Sequence, residues 1–159
     1  MVTEDRQLRD HVLYLLRSGG AHISFDDFIA AFPIDFINSA IDGVPYTPWQ
    51  VLEHMRIAQW DILEFSRDAG HVSPQFPEGY WPSTGVVADA EMWNDTVKAF
   101  RSDLQALAEL VDDPTVDLFA QLSHGEGQTI LREALLVADH NAYHLGTLAL
   151  MKRVLDNDG

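Results

Sequence analysis

Apolar residues recur at helical spacing in four long stretches of the chain. The stretches run over about 5–17, 48–68, 88–111 and 128–155, and each has an inner stripe of aliphatic and aromatic side chains. No stretch shows the sustained alternation of apolar and polar residues that is typical of a β-strand. The pattern therefore predicts an all-α fold, a four-helix bundle.

Turn and capping residues support these boundaries. Thr47-Pro48-Trp49-Gln50 opens the second helix, because Thr47 can cap it, proline suits the first helical position and Gln50 can complete a capping box. The 24–41 segment between helices one and two is apolar but carries Pro33, which a continuous helix would not tolerate. We expect it to form one or two short helices in a long crossover.

A proline-rich segment follows the second helix. Residues 71–85 read HVSPQFPEGYWPSTG and hold three of the seven prolines together with three aromatic residues. This composition predicts an irregular loop, but one too apolar to be fully solvated. We expect it to pack over the bundle and roof a pocket. His71 could approach the site from this loop, although the pattern favours a surface position.

Composition narrows the classes of protein to consider. A chain of 159 residues that is 47% hydrophobic fits a single domain, 1–159, with a sizeable core. The chain has no cysteine, which excludes disulfides, thiolate zinc sites and a cysteine nucleophile. Any bound metal must therefore be held by His, Asp, Glu or water.

The net charge of −15 argues against two kinds of partner. Both nucleic acid and anionic lipid repel a chain this acidic, and no Lys/Arg cluster offsets the charge. The first residues, MVTEDRQLRDHVLYLL, lack the basic start and long apolar run of an export signal or membrane span. We expect a cytoplasmic protein that binds a small molecule and neither nucleic acid nor membrane.

Two histidines stand out in the last helix. His140 and His144 are four residues apart, so both project from one side of a helix and can reach one ion. Histidines at this spacing also occur in cores where they are only hydrogen-bonded, and the pair alone does not decide between these interpretations. A metallopeptidase is disfavoured, because Asn141 stands where a zincin carries its glutamate.

His54 is the candidate third ligand. It lies at the edge of the inner stripe of the second helix, and a bundle in which helices two and four face each other would bring it to His140 and His144. Three imidazoles without thiolate suit Zn²⁺, Ni²⁺ or Fe²⁺ and leave a position for water or substrate. The expected cofactor is a divalent metal ion in an open site.

Two acidic residues lie on the same helices as these histidines. Asp61 and Glu133 are each about two turns, or ~10 Å, from a histidine, too far to share its metal. If the helices run antiparallel, both acids fall at one end of the core, where they could meet, share a proton or line a pocket. The alternative is that they bond to backbone groups or to an arginine. Tyr143 and Asn141 could orient a ring nitrogen, and Glu53 is expected to be solvated.

Two motifs resemble those of the DinB-like (YfiT-like) metalloenzyme superfamily. They are Thr47-Pro-Trp-Gln-Val-Leu-Glu-His54 and Asp139-His140-Asn-Ala-Tyr-His144-Leu-Gly146, and helix order and the long crossover extend the resemblance over nearly the whole chain. It implies an up-down-down-up four-helix bundle with His54, His140 and His144 as metal ligands. Thr147 departs from the pattern, since relatives frequently have glutamine there.

The resemblance also implies a range of functions. The superfamily includes transferases and isomerases that use low-molecular-weight thiols, which implies a metal-dependent thiol S-transferase with a thiol cofactor, held locally by Arg56 or Arg132. Alternatives from other classes are a metal-dependent hydrolase and a non-catalytic metal-binding or stress-response protein. The resemblance also makes a homodimer plausible. The residues identify neither the native metal nor any catalytic or cofactor-binding residue.

Overall fold

The computed structural model describes residues 3–18 and 20–157 and is all-helical. Within those residues the chain forms five α-helices: α1 (Glu4–Ser18), α2 (Phe25–Ala31), α3 (Pro48–Arg67), α4 (Ala90–Asp112) and α5 (Ile130–Asn157). Two single 3-10 turns, Ile34–Phe36 and Glu78–Tyr80, lie in the connections. The only β pairing among the described residues is two isolated bridges, so the predicted all-α class is confirmed.

The four long predicted helices correspond to α1, α3, α4 and α5. The capping box of α3 forms as predicted: Gln50 N–H donates to Thr47 Oγ1, and Thr47 N–H donates to Gln50 Oε1 at 2.9 Å. In the crossover, α2 ends before Pro33, as a proline requires, and the 3-10 turn follows. The cap fixes where α3 starts and thereby which side of it His54 occupies.

Helix α3 is the central element of the packing. It lies against both α4 and α5, and α1 packs on α4 and α5 from the other side. One apolar cluster surrounds the first half of α3, where Leu52 and Met55 are fully buried, and another surrounds its second half at Leu63. Because burial of such side chains stabilises the fold by about 1.5–3 kcal/mol each, α3 and α5 are held firmly side by side.

Hydropathy agrees with the expectation of no membrane span. Among the described residues, none of the helices combines the length and the apolar character that crossing a bilayer requires.

Candidate metal centre

His54, His140 and His144 come together between α3 and α5. The Nε2 atom of His54 lies 3.2 Å from Nε2 of His140 and 3.2 Å from Nε2 of His144. One nitrogen from each ring lies within 4.8 Å of the others, which makes the three a group that could hold a metal ion. The sequence therefore identified the three histidines that converge.

The donor set fits a divalent ion. Two imidazole nitrogens that each lie about 2.0–2.1 Å from one ion are separated by about 3 Å at the angles of tetrahedral or octahedral coordination. The two measured separations match that value. Neutral nitrogen ligands without thiolate suit Zn²⁺, Ni²⁺ or Fe²⁺, so the chemistry of the residues agrees with the geometry.

The orientation of the His54 ring is fixed by the main chain of the proline-rich loop. Its Nδ1 lies 2.7 Å from the carbonyl oxygen of Tyr80. A carbonyl can only accept, so Nδ1 carries the proton. Burial lowers the pKa of His54, more than this hydrogen bond raises it, and the ring is therefore neutral near pH 7. A neutral ring protonated at Nδ1 presents the lone pair of Nε2 to the other two histidines.

The other two imidazoles are also neutral. Burial, and then the nearby His54, lower the pKa of His140 to about 4. For His144 burial is again the largest cause, followed by His140 and then His54, and its pKa also falls to about 4. Since a metal ligand must be unprotonated, the centre is ready to bind a cation at neutral pH without first losing protons.

An aromatic stack covers one side of His54. The indole of Trp81 lies parallel to the imidazole at 4.0 Å between ring centroids, and Tyr46 stacks on the other face of Trp81 at 3.7 Å. The predicted packing of the proline-rich loop over the bundle is thus confirmed. The role of Trp81 was not predicted, because nothing in an irregular loop tells which aromatic ring meets which histidine.

A cavity of about 360 Å³ opens beside the three histidines. His54 and His140 line one part of it, and Asp61 and Glu133 line another, under loop residues that include Phe76 and Tyr80. The expectation that both acids fall at one end and line a pocket is confirmed. They do not share a proton, since each carboxylate has its own partners.

Asp61 ties the loop to α3. It is 6% exposed and accepts hydrogen bonds from Tyr80 Oη at 2.6 Å and from His71 Nε2 at 2.7 Å. Burial, and then the adjacent Asp61, raise the pKa of Tyr80 to about 12, so its hydroxyl remains a donor. The expected surface position of His71 was wrong, because its side chain is only 9% exposed and lies against Asp61.

Glu133 pairs with its neighbour in the sequence. Arg132 Nη1 donates to Glu133 Oε1, so the arginine alternative was correct for this acid. The two side chains differ in environment: that of Glu133 is 4% exposed, while that of Arg132 is 56% exposed and lies toward solvent. The cavity wall thus carries a buried carboxylate whose partner, Arg132, is largely exposed to solvent.

The possible roles of Tyr143 and Asn141 beside the ligands are not seen, and the expectation for Glu53 was wrong. Tyr143 is largely exposed and only touches the edge of the His144 ring, and Asn141 donates to Gln59 Oε1 at 2.9 Å, so neither orients a ligand nitrogen. Glu53 is not solvated: it pairs with Arg56 and accepts a hydrogen bond from Thr96 Oγ1 at 2.9 Å. This edge of α3 faces α4, which the stripe pattern alone did not indicate.

Arg56 and Thr147 contribute little to the site. Arg56 is held by Glu53 away from the cavity beside the histidines, which leaves Arg132 as the arginine at that cavity. Thr147 donates from Oγ1 to the carbonyl of Tyr143 within α5. Thr147 therefore makes its hydrogen bond within its own helix.

A second cavity, of about 410 Å³, lies between α1, α2, α4 and α5. It is mostly apolar, and none of the three histidines lines it. Size alone does not make it the reaction site, because two of the three converging histidines and both buried carboxylates line the smaller cavity.

The chain was also compared with known proteins. No family model, no curated protein and no solved structure matches it.

Proposed function

We propose that this protein is a metal-dependent enzyme whose divalent ion, Zn²⁺, Ni²⁺ or Fe²⁺, is bound by His54, His140 and His144. The observation that carries the proposal is the convergence of three Nε2 atoms, two pairs of them at 3.2 Å, beside a cavity large enough for a small substrate. Three protein ligands leave coordination positions open, which is typical of catalytic rather than structural sites.

A bound divalent ion would lower the pKa of a thiol or a water molecule and stabilise the resulting anion. The residues of the chain supply the rest. The Tyr80 carbonyl holds His54 in the ligating tautomer, Trp81 shields that ring from water, and the cavity positions the substrate beside the centre.

Resemblance to the DinB-like superfamily supports thiol S-transfer as the reaction. In that reaction the sulfur of a low-molecular-weight thiol forms a bond to an electrophilic carbon of the substrate, the leaving group departs with its electron pair, and the thiol proton passes to solvent. Family membership, the up-down-down-up order of the helices, a homodimer and a cytoplasmic location are parts of this same proposal.

A hydrolase is the second candidate. It is favoured by the two buried carboxylates of the cavity, Asp61 and Glu133, since hydrolytic sites commonly place a carboxylate near the attacking water. A non-catalytic metal-binding protein is the third. In that case a fourth protein group would close the coordination sphere.

The first experiment measures the metal content of protein purified without an affinity tag. We expect about one divalent ion per chain, and its loss in His54→Ala and His140→Ala proteins. His11→Ala is the matched control, because His11 is exposed on α1 and should leave the metal content unchanged.

Activity is then tested with the loaded protein. Thiol transfer to a panel of electrophiles and hydrolysis of ester and amide substrates are assayed in parallel, with the His140→Ala protein as blank. Activity that survives in metal-free protein, or spectra that show a fourth protein ligand, would reject the enzyme proposal.

A further inference from the structure

The cavity beside the histidines carries a buried carboxylate that the proposed thiol transfer does not use. Glu133 is 3% exposed, and its Oε2 atom accepts no hydrogen bond from any residue that the structure describes. Its one countercharge, Arg132, is more than half exposed and reaches only Oε1. That oxygen is not among the fully enclosed side-chain atoms that lack a partner, so it stays open to the cavity and can accept from a donor or cation of a ligand.

The other acid of the cavity is less suited to that role. Each oxygen of Asp61 already accepts a hydrogen bond from the protein, Oδ1 from His71 and Oδ2 from Tyr80. A second metal ion is disfavoured too, since Glu133 belongs to no group of three metal-ligating side chains within the described residues. The open acceptor of Glu133 is therefore suited to a single donor group of an organic ligand.

The walls around Glu133 favour a cationic donor. The aromatic residues Phe65, Phe76 and Tyr80 line the same cavity, and aromatic rings attract ammonium groups. The net charge of −15 also raises the concentration of cations near the protein and speeds their association.

From these observations we infer that the cavity binds a small molecule with an amine, whose ammonium group is recognised by Glu133. The inference rests on the proposed function in one respect: the end of the ligand opposite the amine is the group that would bind the metal. Glu133 lies seven residues before His140 on α5, which corresponds to about 10 Å along the helix. The substrate or thiol thus carries its amine several bonds from its reacting atom.

The test measures ligand binding by calorimetry with matched probes. Aminohexanethiol carries both groups, mercaptohexanol replaces the amine by a hydroxyl, and mercaptohexanoate replaces it by a carboxylate. We expect zinc-loaded protein to bind the amine about ten- to a hundredfold more tightly than the alcohol, and the carboxylate most weakly, as for a charge-assisted hydrogen bond.

Two variants and one control make the test specific. Glu133→Gln keeps the shape and removes the charge, and should abolish the preference for the amine. Arg132→Gln removes the cation that competes for Glu133 and should raise the affinity for the amine several-fold. This second measurement remains valid even if the Glu133→Gln protein is unstable. Glu91→Gln makes the same chemical change at an exposed position of α4 and should change nothing.

Hexylamine and hexanol, tested on metal-free protein, separate the two proposals. If no metal binds but hexylamine is still preferred and Glu133→Gln removes that preference, the metal proposal fails and this one stands. If the thiols bind to loaded protein without regard to amine, alcohol or carboxylate, and Arg132→Gln has no effect, amine recognition is overturned while the metal proposal stands.

Discussion

Replacing Asp61 by alanine tests whether one carboxylate holds the loop over the metal centre. Asp61 is buried on α3 and accepts hydrogen bonds from Tyr80 and His71, both of which belong to the loop. A hydrogen bond to a charged group contributes about 1.5–3 kcal/mol. Loss of both bonds would then lower the free energy of unfolding by about 3–6 kcal/mol.

The expected value lies at the low end of that range. Both donors lie next to a cavity that water can enter, and water would satisfy part of their hydrogen-bonding capacity after the substitution. We therefore expect Asp61→Ala to lower the free energy of unfolding by about 3 kcal/mol. Asp61→Asn should cost only about 1 kcal/mol, since the amide oxygen still accepts one of the two bonds.

The substitution should also weaken metal binding, although Asp61 touches none of the three ligands. Tyr80 donates to Asp61 through its side chain and accepts from His54 through its carbonyl. A released Tyr80 would let the carbonyl move and His54 lose its orientation. Loss of such an indirect partner typically lowers metal affinity about ten- to a hundredfold.

The assay combines urea unfolding of metal-free protein with a chelator competition for Zn²⁺. Asp95→Ala, an exposed change on α4, is the control and should alter neither quantity. An Asp61→Ala protein with unchanged stability and unchanged zinc affinity would show that the loop is held by other contacts, such as the Trp81 stack, and would refute the reasoning.

Three further predictions concern the same centre. Bound Ni²⁺ or Co²⁺ should quench the fluorescence of Trp81, which stacks on a ligand ring at 4.0 Å, and Trp81→Phe should remove most of the quenching in a fluorescence titration. The free energy of unfolding of metal-free protein, measured in urea, should fall as the pH is lowered from 6.5 towards 4. The reason is that His140 and His144 take up protons near pH 6.5 in the unfolded chain but only near pH 4 in the folded chain. A free energy of unfolding that stays constant over this range would contradict the lowered pKa values. Phe100→Ala should lower the free energy of unfolding by about 3–5 kcal/mol, since this ring is 1% exposed, whereas a loss below about 1 kcal/mol would mean that the core there is loosely packed.

Helical periodicity predicted the long helices and made His54, His140 and His144 candidates for one site, and the resemblance to a known superfamily strengthened that prediction. The spacing of His140 and His144 fixed one side of α5, and the capping box at Thr47 fixed the side of α3 that carries His54. Both are local signals that depend on the geometry of a single helix. To bring His54 to the other two histidines, it was then necessary to assume only that α3 and α5 face each other.

The contacts that orient the ligands could not be predicted in the same way. His54 bonds to a carbonyl oxygen, and every residue has one, so no side chain marks Tyr80 as its partner. Trp81 comes from an irregular loop in which no periodicity relates one ring to another. The direction of the Asn141 side chain likewise depends on Gln59 of the neighbouring helix, which spacing along α5 does not reveal.

The bond from His54 to the backbone of Tyr80 has a consequence for how such chains can diverge. An alanine substitution at Tyr80 would test only the role of its phenol, because every residue at this position retains the main-chain carbonyl oxygen that orients the His54 ring. Insertions or deletions in the loop would move that oxygen even where all ligating side chains persist. Variation in loop length, more than variation in loop composition, should therefore distinguish related proteins that have kept this chemistry from those that have lost it.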